Sequence, residues 1–437
     1  MTAAGPHPLA IRDFRFYWVA RLASTVAQMS MVIVIGWQVY DIARRSMDLH
    51  HAAMQLGLIG VVQFVPLFVL SLVTGWTADR VDRRWIARAS IALELFCALT
   101  LGWLSWSGAI SLAALFGVAA LLGVARAFAQ PALGALAPNL VPRESLPRAI
   151  ALSSMSWQAG AIAGPALGGY LYAGAPWLPY AAGACLFLVS LFCMFMIRPI
   201  VRTEIGGTRN PWQQMVDGLH YVRKNRLVLG AISLDLFAVL LGGATAMLPV
   251  FARDILHAGP EGLGDLRAAP AVGATLTALY FAWRPLKHNV GVKMLGAVAV
   301  FGAATVVFGL AKQITETGAM PLSLVCLALL GAADMLSVYV RQSLIQLYTP
   351  NEMRGRVGAV STVFISASNE LGEAESGFLA AAIGPVAAVV GGGIGAILVT
   401  LLWARIFPEL RLARSFDAPN LPDSNLGDTN KVMETTT

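Results

Sequence analysis

The chain has 437 residues, of which 57% are hydrophobic and only 13% charged, with a formal net charge of +7. Mean hydropathy is +0.67 and the pI is about 9.4. Soluble domains run at roughly 45–50% apolar and about 25% charged, so a chain this size lacks the polar shell that water requires. That excludes a soluble enzyme, a nucleic-acid module and a disordered scaffold, and leaves lipid as the solvent. The basic residues form short patches between apolar runs rather than one stripe, a pattern of membrane orientation rather than nucleic-acid binding. Cys97, Cys185, Cys193 and Cys326 all lie inside apolar runs, with no CxxC or His/Cys cluster, so neither a disulfide framework nor a metal site is expected.

A membrane helix needs about 20 residues, and apolar runs fall at 14–41, 54–78, 85–106, 110–131, 150–173 and 177–197. A second set lies at 227–251, 262–283, 290–311, 320–341, 357–383 and 386–407. The first run is too long for a signal-peptide core and reads as the first span. The expected fold is all-α and integral to the membrane, with about twelve spans. Its expected units are an N-terminal six-helix bundle over 1–197, a linker over 198–226, a C-terminal six-helix bundle over 227–407 and a polar tail over 408–437. Within the linker Met215, Leu219 and Val222 recur at helical spacing, which predicts a short amphipathic helix on the membrane surface.

Basic residues assign the sides. With both termini cytoplasmic, the inner connections hold Arg80, Arg83, Arg84, Arg88, Arg143, Arg148, the linker cations, Arg284, Lys287, Lys293, Arg341, Arg354 and Arg356. The outer ones hold only Arg44, Arg45, Arg253, Lys312 and, by position, Arg267. The halves also repeat. Laying 123–177 over 331–385 without a gap pairs Pro142 with Pro350, Glu144 with Glu352, Arg148 with Arg356, Gly164 with Gly372 and Gly169 with Gly377. A second register sets Leu56-Gly57 over Leu263-Gly264. Two bundles in parallel repeat, joined by a long linker, are the basis of a rocking transporter.

In chain order, the first motif is Gly75-Trp-Thr-Ala-Asp79-Arg80-Val-Asp82-Arg83-Arg84, between spans 2 and 3. An acid beside a basic cluster at helix ends can hold a cytoplasmic gate, and ordinary anchoring by basic residues is the plainer alternative. Span 4 carries Arg126 ahead of Gln130-Pro131; a cation there must snorkel, find a partner or face a cavity. Span 5 carries Gly160, Gly164, Pro165, Gly168 and Gly169, a smooth stripe for close helix contact with a proline bend. Ser368, Gly372 and Ser376 repeat the stripe in span 11. Acids lie where lipid forbids them: Glu94 in span 3, Asp235 in span 7, Asp334 in span 10, and Glu370, Glu373 and Glu375 in span 11. Such groups must take a proton, pair with a base or line water. The repeat makes Asp334 the counterpart of Arg126, so the two are expected to face one another across a central cavity. Trp18, Trp37, Trp103, Trp106, Trp177 and Trp403 are expected at the membrane interfaces.

The Gly75–Arg84 segment resembles the G-x-x-x-D-R-x-G-R-R loop of the major facilitator superfamily, with Asp82 in place of a glycine. The Gly160–Gly169 string is similar to the antiporter motif of that superfamily's drug exporters, and Arg126 partly matches its basic residue proposed for proton transfer. The segment from Ala137 to Ala149 resembles the span 4–5 connection of the branch that includes enterobactin exporters and macrolide-efflux proteins. The resemblance implies a monomeric, proton-coupled exporter of a small, moderately apolar molecule in the bacterial inner membrane. Its proton-coupling and cavity residues would be Arg126, Asp235, Asp334, Glu370 and Glu373, and its cytoplasmic gate Gly75, Asp79, Arg80, Arg83 and Arg84. Lipid, substrate and protons are the expected partners, with no cofactor, metal or nucleic acid. An importer or facilitator on the same fold, and a membrane sensor without a transport cycle, are the alternatives.

Overall fold

The computed structural model describes residues 6–198, 211–284, 286, 288–414 and 416. The start of the expected linker and the tail from 417 onward lie outside the described residues, as do the side chains of 71–80, Gln130 and Glu370. The first half consists of α1 (Arg12–Ser46), α2 (Leu49–Arg80), α3 (Arg83–Trp106), α4 (Leu112–Leu136), α5 (Leu146–Gly174) and α6 (Leu178–Met196). A linker helix α7 (Pro211–Lys224) leads into α8 (Arg226–Leu241), then α9 (Leu248–Val250) and a π turn over Phe251–Ile255. The second half continues with α10 (Gly259–Trp283), α11 (Val290–Gly309), the short α12 (Ala311–Ile314), α13 (Ala319–Tyr348), α14 (Asn351–Ile383), α15 (Pro385–Ile406) and α16 (Pro408–Leu412). The long helices α8, α10, α11, α13, α14 and α15 fall on the expected spans 7 to 12.

The packing carries the repeat that the sequence shows. In the first half α1 packs on α5 and α6, α2 on α4, and α3 on α4 and α6. In the second, α8 packs on α14 and α15, α10 on α13, and α11 on α13 and α15. The two halves meet through α2 against α14 and α5 against α10, which the repeat relates to one another. Among the described residues nine helical segments are long and apolar enough to cross a membrane by length and composition. The long helices outside that set are α5, α10 and α14, rich in glycine, alanine and polar groups. Each borders the seam between halves, where the partner is protein and an apolar surface is not required.

Some expectations fail at the margins. Helix α7 forms, but it lies on the second half: Val222 is 2% exposed beside Val357 and Val360, with Met215 packed alongside. Leu219, expected on the same face, is 37% exposed. The chain does not leave the bundle at 407 either, because Leu410 is fully buried against α8 and α11. Trp37 is buried against Tyr172 rather than set at an interface, whereas Trp103 and Trp106 are well exposed.

Candidate functional site

At the seam, two glycine pairs bring backbones into contact. A Cβ built on Gly57 would lie 3.0 Å from the Gly377 Cα, and one built on Gly264 would lie 3.4 Å from the Gly169 Cα. Gly57 and Gly264 are partners in the repeat, and so are Gly169 and Gly377, so one crossing occurs twice. The rest of the span 5 stripe faces α1: a Cβ at Gly164 would meet Val26 O at 2.8 Å and the Met29 Cβ at 2.6 Å, and one at Gly168 the Ser30 Oγ at 2.8 Å. Gly160 sits against Thr25, and Pro165 lends its carbonyl to the Gly264 crossing. The span 11 stripe repeats this against α8, where Gly372 abuts Val239 and Leu240.

The same end of the seam is tied by side chains. Tyr40 donates a hydrogen bond to Asp254 across the halves, and Arg44 pairs with that carboxylate at 3.2 Å. Arg253 answers from the second half, 3.1 Å from Asp41. The π turn presents Arg253 and Asp254 together to the end of α1, and π turns recur at functional positions. His50 meets the Ala381 carbonyl at 2.8 Å.

Below this closure lies a small cavity of about 50 Å³. Its walls are mostly apolar, with Val32, Ile33, Leu56, Ile59, Leu248 and Leu263 drawn from both halves. Four residues supply polarity: Gln63, Thr245, Arg267 and Glu373. Arg267 donates to the Thr245 carbonyl at 3.2 Å and pairs with Glu373 at 3.5 Å. Glu373 therefore lines the cavity. By position Arg267 falls with the outer cations, but it lies about two turns into α10. Glu370 lies outside the described residues.

The expected pairing of Arg126 with Asp334 is not formed. Arg126 donates to Gln63 Oε1 at 3.1 Å, inside the first half. Asp334 lines a separate, smaller cavity within the second half, with Asp235, Val298, Phe301 and Ser337. The base of that region is Arg341, 2% exposed and paired with Asp235. Charge counting had placed Arg341 in a cytoplasmic connection; α13 runs on to Tyr348 and keeps it inside. The signal available was Asp334 and Arg341 two turns apart on one span, with Asp235 in another, hidden because the span was ended at 341.

Of the gate motif, Gly75, Asp79 and Arg80 lie outside the described residues. Asp82 is extended (φ −60°, ψ 120°) and caps α3 by accepting from the Arg84 amide at 2.9 Å. No glycine is needed at a position with this backbone, which accounts for the departure from the motif. Arg84 is buried, paired with Asp82 at 2.5 Å and bonded to the Ile197 carbonyl just past α6. That guanidinium holds the Asp82 carboxyl below the usual carboxylate range. Arg83 is half-buried. Arg88 donates to Met194 O at 2.9 Å and stacks on Trp85 and Phe195. Arg84 and Arg88 thus cap the end of α6 within one half.

The comparisons agree with this architecture. The family model described as transmembrane secretion effector matches residues 3–426. The enterobactin exporter EntS of Citrobacter koseri is 28% identical over 420 residues, covering 94% of this chain and 95% of that protein. EntS of Escherichia coli O1:K1 is 27% identical over 409 residues, covering 92% and 93%. Among solved structures, a D-xylose–proton symporter superposes with a TM-score of 0.68 at 13% identity, covering 93% of this chain and 99% of that one. A bacterial homologue of the iron transporter ferroportin in an inward-facing state gives 0.66 at 16% identity, covering 92% and 98%. A full-length family match, two packed repeats and a cavity on the seam between them place the chain in the transmembrane secretion effector family, among the membrane transporters of the major facilitator superfamily.

Proposed function

We propose that the protein exports a small amphipathic molecule across the bacterial inner membrane by alternating access, driven by proton entry. The observation that carries this is the central cavity: apolar walls from both halves, one ion pair and one amide, sealed at one end by inter-half contacts. The basic-residue counts support placing that sealed end outside, and a cavity closed on that side would load substrate from the cytoplasm. Two relatives named as enterobactin exporters support a siderophore or a molecule of similar character. Glu373 is the carboxylate best placed to couple a proton to transport, because it shares the cavity with substrate and is held by Arg267 at a distance that leaves room for exchange.

The test is transport of enterobactin into inside-out proteoliposomes under an imposed pH gradient. Uphill uptake accompanied by proton counterflow is expected, with Glu373→Gln retaining binding and losing uphill transport. Transport indifferent to the gradient would favour a facilitator instead.

A further inference from the structure

Beside the cavity, Gln63 begins a polar chain that runs into the first half. Its side-chain oxygen accepts from Arg126, and a Cβ at Gly123 would meet the Gln63 carbonyl at 2.6 Å. That close crossing of α2 and α4 fixes Arg126, one turn past Gly123, against the amide. Arg126 is in turn within electrostatic reach of Glu94 on α3. Glu94 is fully buried. Its Oε1 accepts from the Gln28 side chain of α1, and its Oε2 has no hydrogen-bond partner among the described residues.

The repeat supplies an independent observation. Glu94 and Arg126 are the counterparts of Phe301 and Asp334, which line the cavity of the second half together with Asp235. Both halves therefore place carboxyl chemistry at the same three-helix junction, and in the first half that chemistry connects to the substrate cavity through Arg126 and Gln63. The groups facing Glu94 are Gln28 from α1, Arg126 from α4 and Cys97 on α3 itself; α6, which also packs on α3, carries no charged residue.

We propose, resting on the exporter reading above, that Glu94 is a proton-binding site whose occupancy alternates with substrate at Gln63. With the cavity empty, Arg126 stays on Gln63 and Glu94 keeps its proton on Oε2. Substrate that hydrogen-bonds the Gln63 amide displaces Arg126, which turns to Glu94; the Oε2–H bond breaks and the proton passes to water in the cavity. Proton and substrate then exclude each other by linkage, which is the requirement of antiport.

Infrared difference spectra of the reconstituted full chain, acid minus alkaline and without substrate, test this. A protonated-carboxyl band is expected in the native protein and is lost in Glu94→Gln, where the new amide still bonds Gln28. Gln63→Leu, which leaves Glu94 in place but removes the amide that Arg126 bonds, is expected to lose the same band. In the enterobactin assay Glu94→Gln should move one proton fewer per substrate and flatten the pH profile. A folded Glu94→Gln with the native spectrum, or with native proton stoichiometry and pH profile, overturns the proposal while leaving proton-driven export intact. Native protein that transports without moving protons overturns both.

Discussion

The two halves share one packing plan and differ in what they put at its centre. At the junction of α8, α11 and α13 the second half buries an ion pair, Asp235 with Arg341, and leaves Asp334 and Ser337 around a cavity. At the equivalent junction of α1, α3 and α4 the first half fills the space with Gln28 and Glu94 and holds Arg126 on Gln63. A repeat constrains how helices cross, through small residues at fixed positions. It does not constrain polar side chains, which are free to diverge once each has a partner. The crossings are thus the symmetric part of the molecule, and the chemistry is the asymmetric part.

The sharpest way to break this comparison is to remove one member of each junction. Asp235→Ala leaves a buried guanidinium without its carboxylate, for which the cost is about 3–5 kcal/mol. Gln28→Ala removes a hydrogen-bond donor from Glu94, for which the cost is about 1–3 kcal/mol. Thermal unfolding in detergent should rank the second-half variant as the more damaged by a wide margin. Equal losses would show that the first junction also depends on a full ion pair.

The crossings should respond alike. Gly164→Leu drives bulk into Met29 and Ser30, and Gly372→Leu into Val239 and Leu240; overpacking costs about 1–3 kcal/mol. Both variants should insert and lose most transport. Gly117→Leu and Gly296→Leu, where nothing lies within 4 Å of an added Cβ, should transport normally. Loss in one stripe only would mean that the halves do not rock as equals.

A smaller effect is expected at the sealed end, where the halves meet by charge. Asp254→Asn weakens its contacts with both Tyr40 and Arg44, so a cysteine introduced at Ile33, in the cavity wall, should react faster with an impermeant thiol reagent added outside. An unchanged rate would leave the glycine crossings alone as the seal.

The smallest effect separates two equivalent helix starts. Asp82 caps α3 with its side chain, whereas Asn289, ahead of α11, sits in the left-handed region at φ 54° with no side-chain cap. Asp82→Ala should cost about 1 kcal/mol at neutral pH. Because Arg84 lowers the folded pKa of Asp82, that contribution is present above the carboxylate's ordinary range and fades as pH falls through the folded value. Asn289→Ala should show no such acid dependence, and melting curves taken across acid pH distinguish the two.

Much of this was legible in the sequence. The apolar runs located the long helices, and the two registers of the repeat, from Gly57 to Gly264 and from Gly169 to Gly377, marked residues that meet at the seam. The stripe at Gly160, Gly164 and Gly168 was readable because close approach demands glycine and little else satisfies it. The polar partners were not readable. Sequence offered Arg126 and Asp334 as opposite charges at equivalent positions, but equivalence in a repeat places residues in different halves rather than in contact. Charge counting places Arg267 and Arg341 in connections because it assumes that cations lie outside the helices, and both are held inside by carboxylates three spans away in the chain.

The account rests most heavily on the halves rocking about the seam to expose the cavity alternately. The direct measurement is the distance between spin labels at Ser107 and Glu316, exposed residues at the sealed end of the first and second halves. The prediction is a short-distance population in the resting protein that gives way to a longer one under conditions that turn the cavity outward, and does so more readily in Asp254→Asn. A single unchanging distance across pH and substrate, in the native protein and the variant alike, would contradict it.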